Sequence, residues 1–269
     1  MAQLEKIIER FKLETEIPSI KLTANRSENI PITKSKLGGV PYFPKGLEYP
    51  RNSNGAPLKL LAQLNFSELP KLENFPDKGI LQFYILSNDL MGLDFDDLTR
   101  QEDFRVLYHE EELPTEMLES DFSGLEENQG EEVFFPFEGE FTLSGEVINH
   151  VMTPTDYRIG ELFYNLCEKM GCEKRDYDKD FNETVWNSFT NQYNLVGGYP
   201  NFTQYDPRGN EEKFEKYDTL LFQLESQHNK EIKNWDIIWG DVGVGNFFIN
   251  LEDLKNSKFD DILYTWDCS

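Results

Sequence analysis

The chain has 269 residues and a formal net charge of −24, from 50 acidic and 26 basic side chains. A field of this sign repels phosphate backbones and anionic lipid head groups, which argues against nucleic-acid binding and against attachment to a membrane surface. No apolar run approaches the roughly 18 residues that a membrane-spanning helix needs, so we expect no membrane segment.

The composition favours strands over helices. Only four alanines stand against 21 Phe and 12 Tyr, and aromatic side chains suit half-buried pleated surfaces whereas Ala suits helices. An odd number of cysteines (Cys167, Cys172 and Cys268) and a charged, helical start without a signal region indicate the reducing cytoplasm. We expect a β-rich α+β fold with mostly antiparallel sheets and a few peripheral helices.

The first half of the chain opens with an amphipathic helix, because Leu4, Ile7, Ile8 and Phe11 recur at the spacing of one helix face. Pro18 ends that pattern. A Gly-Gly turn and a Pro-rich loop follow. The next segments are predicted to be extended, and they are Leu58–Phe66, Ile80–Leu86, Phe104–Tyr108 and 133–151.

The second half begins with another helical pattern, from Ile159 to Met170, with Gly171 as its stop. A further helical piece is expected around residues 181–189. The remaining predictions are a second Gly-Gly turn, a strand at Leu220–Leu224, a hairpin from Trp235 to Leu251 that turns at Asp241-Val242-Gly243, and a last strand at Ile262–Trp266.

The two halves present similar motifs in the same order. From the first glycine of each Gly-Gly pair to a Gln inside an apolar strand takes 25 residues in the first half (Gly38 to Gln63) and 26 in the second (Gly197 to Gln223). This spacing indicates one unit built twice. It predicts a single domain over residues 1–269 made of two halves, about 1–152 and 153–269, with a cleft between them.

The excess negative charge is concentrated in one stretch. Residues 86–132 hold 16 Asp and Glu against only Arg100 and Arg105. Such runs are usually solvated loops. Acidic runs also raise the encounter rate with basic proteins, so the more specific hypothesis is that the stretch binds a basic protein partner.

A catalytic constellation is not recognisable, and we predict no catalytic residue, no metal and no cofactor. The histidines His109, His150 and His228 share no motif with a Ser or Cys. Oxygen side chains alternate from Asp176 to Asn182 as in a calcium loop, but the required glycine and glutamate are missing. A zinc site at Cys167 and Cys172 would need two more ligands.

Gln63 and Gln223 are the strongest binding candidates, because a buried amide without partners costs on the order of 1 to 3 kcal/mol. Each is expected either to bond backbone in the Pro-rich loop or to point into the cleft and bind a small polar ligand. The further cleft candidates are Gln82, Tyr42, Tyr199, Trp239 and Asp241.

The glycines have two interpretations as well. They supply the dihedral angles of turns, or they bring backbone N–H groups close to an anion. The turn reading is the commoner one, and it applies to Gly38, Gly39, Gly197, Gly198 and Gly243.

Five motifs taken in order resemble the YwqG-like family of bacterial proteins, a domain of unknown function. They are Leu37-Gly38-Gly39-Val40-Pro41, Leu61-Ala62-Gln63-Leu64, Gly79-Ile80-Leu81-Gln82-Phe83-Tyr84, Gly240-Asp241-Val242-Gly243 and Trp266-Asp267-Cys268-Ser269. The resemblance spans nearly the whole chain. It implies a cytosolic, β-rich α+β domain and carries over no activity, cofactor or catalytic residue.

Two functions remain open on the sequence. The first is a non-enzymatic, monomeric binding module that engages a basic protein through its acidic surface or a small polar ligand in its cleft. The second is a hydrolase or transferase that uses carboxylates, with Asp241 and Asp267 as acid and base. The second function requires these carboxylates to converge in one pocket.

Overall fold

The computed structural model describes residues 2–125, 134–171, 184, 186–190 and 192–269. The alternating segment Asp176–Asn182, Cys172 and the end of the acidic stretch at 126–132 lie outside the described residues, as do residues 181–183 and 185 of the helical piece expected around 181–189. The described residues of that piece, 184 and 186–189, are helical.

The helices with complete bounds are α1 (Ala2–Thr15), α2 (Ile159–Lys169) and α3 (Leu251–Lys255). The first two confirm the apolar spacing in the sequence. Their apolar faces pack together, and the rings of Phe11 and Phe163 meet edge to face at 5.2 Å. Every helix in the described part of the chain is too short or too polar to cross a bilayer.

The strands confirm a β-rich and antiparallel fold. In chain order they are β1 (Ile17–Ser27), β2 (Lys36–Gly38), β3 (Lys59–Asn65), β4 (Ile80–Ile85), β5 (Phe104–His109), β6 (Glu140–His150), β7 (Asn194–Val196), β8 (Thr219–Glu225), β9 (Gln227–Asn229), β10 (Asn234–Ile237), β11 (Gly243–Ile249) and β12 (Ile262–Cys268). Ten of them form one sheet in the order β12-β11-β8-β7-β1-β6-β2-β3-β4-β5, and β9 pairs with β10.

The order of the large sheet is symmetric about its central pair, β1 and β6. On one side lie β2, β3, β4 and β5, and on the other lie β7, β8, β11 and β12. β1 belongs to residues 1–152 by sequence, yet it pairs with β7 as well as with β6. The two halves therefore share one continuous sheet, and β1 of the first half pairs across the boundary with β7 of the second.

The space between the two halves of the sheet is filled by apolar side chains. Phe83 of β4 packs against Phe222 of β8 and Phe247 of β11, with ring centroids 4.8 Å apart in both cases. Phe104 and Tyr264 meet at 5.2 Å. These rings belong to the largest core cluster. The expected cleft between the halves is thus occupied by the hydrophobic core, because each half hides its apolar face against the other.

The hairpin expected from Trp235 to Leu251 is wrong. The chain does turn between Trp239 and Val242, whose N–H donates to the Trp239 carbonyl at 3.0 Å. However, β10 pairs with β9, and β11 pairs with β8 and β12. Both edges of β11 are already occupied, so β10 has to leave the large sheet.

The described part of the acidic stretch is packed and is not a plain solvated loop. It contains β5, and the segment from Leu86 to Asp103 lies against β12. The hydroxyl of Tyr264 donates to the Met91 carbonyl at 2.8 Å, and the indole N–H of Trp266 donates to the Leu90 carbonyl at 2.7 Å. The stretch therefore connects the two outer strands of the sheet.

Candidate functional site

In the first half, two carboxamides on neighbouring strands hold one residue of the Pro-rich loop. The N–H of Tyr42 donates to Gln63 Oε1 at 2.8 Å, and Gln82 Nε2 donates to the Tyr42 carbonyl at 2.6 Å. Gln63 Nε2 also donates to the Lys34 carbonyl at 2.8 Å. We call this arrangement the first carboxamide clamp.

The second half repeats the arrangement at Asn201, four residues after the first glycine of its own Gly-Gly pair, as Tyr42 is after Gly38. The N–H of Asn201 donates to Gln223 Oε1 at 2.6 Å, and Asn246 Nδ2 donates to the Asn201 carbonyl at 2.9 Å. Gln223 Nε2 donates to the Tyr193 carbonyl at 2.8 Å, in the place of Lys34. This is the second carboxamide clamp. Gln63 and Gln223 thus bond the backbone of two separate loops and are not brought together.

The other sequence candidates are also dispersed. Tyr42 is buried, and its hydroxyl donates to the Glu111 carbonyl at 3.1 Å. The hydroxyl of Tyr199 donates to the Thr15 carbonyl at 2.7 Å. Trp239 is fully buried against Gly245. Asp241 is exposed on the turn before β11. Tyr199 lines a surface cavity beside Gly197 and Arg158, and the other three residues are not part of that lining.

The Gly-Gly pairs supply left-handed backbone, with φ of 62° and 69° at Gly38 and Gly39 and of 71° and 85° at Gly197 and Gly198. Gly243 differs from the expectation. The positive φ falls on Val242 (97°), and Gly243 is needed for space, because an added Cβ would lie 1.8 Å from the Asp267 carbonyl oxygen.

A polar surface surrounds the second carboxamide clamp. Antiparallel register places Glu225 of β8 and Asp267 of β12 on either side of Val244, and it places Gln223 and Thr265 on either side of Asn246. Residues in register share a sheet face, so these side chains lie on the side that the loop from Tyr199 onward covers.

Glu225 is a buried carboxyl, and the donors that the described part of the chain supplies to it are neutral. Its Oε1 accepts from Asn201 Nδ2 at 2.9 Å and from Gln223 Nε2 at 3.3 Å. Burial, reinforced by the negative charge of Asp267, raises the pKa of Glu225 to about 8 against a weaker opposing effect of the Asn201 hydrogen bond. Glu225 is therefore mostly neutral at pH 7.

Asp267 is half-buried and is held by the loop above it. Its carboxylate accepts the N–H of Thr203 at 3.0 Å and the N–H of Gln204 at 2.6 Å. Burial raises its pKa, while these backbone donors oppose the rise. The side chain is fixed in orientation and remains at the wall of a cavity.

A cavity of about 300 Å³ opens beside β12, and we call it the β12 cavity. The side chains that line it are mainly apolar or acidic. They are Leu93, Phe95, Asp96, Leu98, Gln204, Tyr205, Pro207, Asn210, Glu211, Phe214, Thr265, Trp266, Asp267 and Cys268. Phe95 and Tyr205 are 74% and 60% exposed, so two aromatic rings stand at its mouth.

The β12 cavity is negatively charged, with three acidic and no basic lining residues. Lys213 from outside the lining forms an ion pair with Glu211 at 2.8 Å. Asp96 and Asp267 form no ion pair with any basic side chain that the structure describes. No group of three His, Cys, Asp or Glu suited to a metal ion occurs among the described residues. The cavity has the character of a site for an organic cation.

Sequence reasoning missed Asn246 and Glu225. The signal for Asn246 was present, because Gln82-Phe83 and Asn246-Phe247 occupy matching places in the two halves and each amide pairs in register with a clamp glutamine. The signal for Glu225 is a charged residue at the end of an otherwise apolar strand. Asp267 was considered only as a partner of Asp241.

A family model for a domain of unknown function, DUF1963, matches residues 35–268. The chain belongs to the DUF1963 family. The matched part contains both carboxamide clamps and the β12 cavity. No curated protein matches this DUF1963 chain.

Proposed function

We propose that this DUF1963 protein is a cytoplasmic, YwqG-like binding module that engages a positively charged protein partner at the β12 cavity without catalysing a reaction. The observation that carries the proposal is an acidic, aromatic cavity in which Asp96 and Asp267 have no basic partner among the described residues. A cationic side chain entering there replaces water around fixed carboxylates and contacts exposed rings.

The position of the cavity supports the proposal. The acidic stretch reaches it through Phe95 and Asp96, so the long-range field of the stretch and the local recognition site lie on one surface. The field attracts a basic partner, and the cavity then selects a side chain on it.

The test measures binding of a short lysine-rich peptide at low and at high ionic strength. We expect the affinity to fall steeply as salt rises, and to fall about tenfold in Asp96→Asn and in Asp267→Asn. Asp241→Asn and Asp89→Asn are the matched controls, because both remove one exposed acidic charge outside the cavity lining. Equal losses in all four variants would show that only net charge matters and would overturn the assignment to this cavity.

A carboxylate-using hydrolase or transferase is the second candidate, and it is favoured by two carboxyl groups in one row across β11, Glu225 with a pKa of about 8 and Asp267 with a pKa that burial raises. A neutral carboxyl is a proton donor and an ionised one is a base. Asp241 has no part in it, since it is exposed and outside the cavity. The test is a screen of model glycosides and esters, in which any turnover must disappear in both Glu225→Gln and Asp267→Asn.

A further inference from the structure

The β12 cavity lies at the outer edge of strand β12. Successive side chains of a strand point to opposite faces of its sheet. Four consecutive residues of β12 nevertheless line this one cavity, and they are Thr265, Trp266, Asp267 and Cys268. Residues from both faces meet in one cavity only at an edge of the strand. β12 is the last strand of the large sheet, with β11 on its other side, so the cavity lies on the outer edge.

The register of β12 decides which of its main-chain groups face the outer edge. The N–H of Tyr264 donates away from β11, to the Leu98 carbonyl at 2.9 Å. In an antiparallel pair the main-chain groups of every second residue face the same side, and β11 and β12 pair without a register shift. The N–H and carbonyl of Trp266 therefore face outward like those of Tyr264, and those of Thr265 and Asp267 face β11.

Strand β11 gives the same result. Gly245 is the register partner of Trp266. The carbonyl of Gly243, two residues earlier, accepts the N–H of Ser226 at 3.0 Å, on the side of β8. Gly245 therefore directs its own main-chain groups to β8 and offers none to Trp266.

The outer edge is covered before and after Trp266. Leu98 covers the position of Tyr264, and its side chain packs against apolar clusters on both faces of the sheet. Gln204 Nε2 donates to the Cys268 carbonyl at 2.8 Å. Trp266 lies between them and is half-buried, and its main-chain N–H and carbonyl have no hydrogen-bond partner among the described residues. One main-chain donor and one acceptor thus face the cavity.

A chain segment in extended conformation satisfies both groups. When a peptide adds to the edge of a sheet, its main chain supplies hydrogen bonds and its alternate side chains supply specificity. Next to the point of contact with Trp266, a side chain of the added segment lies on the sheet face of Asp267. Opposite charges on neighbouring strands favour pairing, so a basic side chain suits that position.

Resting on the proposed function, we propose that the basic partner enters the β12 cavity as an extended segment that adds to the edge of β12. Its main chain forms hydrogen bonds with the N–H and the carbonyl of Trp266, and a lysine or arginine beside that point lies against Asp267. The walls on either side of the segment come from residues 93–98 and from the loop at 204–214.

The experiment measures binding of a short peptide of alternating lysine and threonine to the full chain at low salt, and compares it with two analogues. One analogue carries a main-chain N-methyl group on every threonine and the other on every lysine, so that all three peptides have the same charge. In an extended segment only one of these two sets has N–H groups that face β12. We expect methylation of that set to weaken binding at least about tenfold, and methylation of the other set to change it less than about twofold.

The main-chain amide of Trp266 provides a second measurement. Its N–H should become protected from hydrogen exchange when the unmethylated peptide binds, because it gains an acceptor. The N–H of Thr265 already faces β11 and is the matched control, in which we expect no change. Asp267→Asn should weaken the peptide several-fold, whereas Asp241→Asn, at an exposed aspartate outside the cavity lining, should leave binding unchanged.

The outcomes distinguish the two proposals. Equal binding of the parent peptide and both analogues, with a loss in Asp267→Asn, overturns strand addition and leaves the cationic binding site intact. A difference between the analogues without protection of the Trp266 amide overturns the assignment to the edge of β12. If the parent peptide does not bind at all, both proposals fail together.

Discussion

The two carboxamide clamps hold their loops by the same backbone contacts and differ in what lies beside them. In the first half, the buried ring of Tyr42 lies edge-on to His109 at 5.2 Å. In the second half, the shorter Asn201 stands in the place of Tyr42, and Asp267 has the register position of His109. There the β12 cavity opens.

This difference distinguishes the residues that hold the loops in both halves from the residues that occur beside the β12 cavity alone. The clamp itself is common to both halves, so it explains how a Pro-rich loop is fixed on a strand and not what the protein binds. The residues on which the proposed function rests are ones that depart from the shared pattern: Glu225 corresponds to Asn65 in register, and Asp267 corresponds to His109. The first half is filled by aromatic packing, and the second retains the buried Glu225 and the half-buried Asp267.

The largest effect is expected from opening the closed half with Tyr42→Asn. The loss of a buried ring should lower the free energy of unfolding by about 3–5 kcal/mol. In the unchanged protein, burial lowers the pKa of His109 to about 4. In the variant water reaches His109, so its pKa should rise toward the ordinary value. Denaturant unfolding and an NMR titration of His109 measure the two effects. Tyr205→Asn, at an exposed tyrosine, is the control and should cost less than about 1 kcal/mol. Comparable costs would contradict the comparison.

Replacing each of the two clamp glutamines should lower the free energy of unfolding by a different amount. Gln63→Leu leaves the N–H of the fully buried Tyr42 without an acceptor, and we expect a loss of about 3 kcal/mol. Gln223→Leu removes the acceptor of the Asn201 N–H. Because Asn201 is half-buried and within reach of water, we expect a loss of about 1–2 kcal/mol in the free energy of unfolding. Urea unfolding of both variants, with Gln192→Leu at an exposed site as the reference, measures the difference. A larger loss in Gln223→Leu would reverse our view of which half is closed.

The pH dependence of stability should trace to Glu225. Its pKa is raised from 4.5 in the unfolded chain to about 8 in the folded one, so the folded state binds the extra proton between these values. Its contribution to stability is complete below 4.5 and is lost as pH rises through about 8. Glu225→Gln removes this loss and should stabilise the protein by about 2 kcal/mol at about pH 9 and very little at about pH 4. Thermal melting across this range checks it, with Glu116→Gln on the exposed surface as the control. A pH profile unchanged by Glu225→Gln would exclude the neutral carboxyl.

The smallest effect concerns the turns that lead into β4 and β11. The first half uses Gly79 at a φ of 86°, whereas the second places Val242 at 97°, a conformation that is strained for a β-branched residue. Val242→Gly should therefore stabilise the protein by about 1 kcal/mol. Val40→Gly, at an exposed loop valine without positive φ, should be neutral or destabilising. Melting temperatures of the two variants decide the point, and destabilisation by Val242→Gly would show that the turn is not strained.

Much of the local structure was predictable. The apolar spacing of Ile7, Ile8 and Phe11 specifies α1, and the short apolar runs around Gln63 and Gln223 specify two buried strands that each contain one amide. The requirement that a buried amide find partners also led to the loop backbone as one of two alternatives. Asn246 could have been found by the same comparison, since it matches Gln82.

The sequence by itself determined the β-rich class, the two long helices, most of the longer strands, and the two loops that follow the Gly-Gly pairs, because periodicity, glycine and buried amides act over a few residues. Only the tertiary structure decided that β1 joins the second half, that apolar side chains fill the space between the halves, and that Glu225 and Asp267 lie in one row across β11. These features depend on strand pairing between residues far apart in the chain. Such pairing is fixed by how the apolar faces of the whole sheet are buried, which no local pattern encodes.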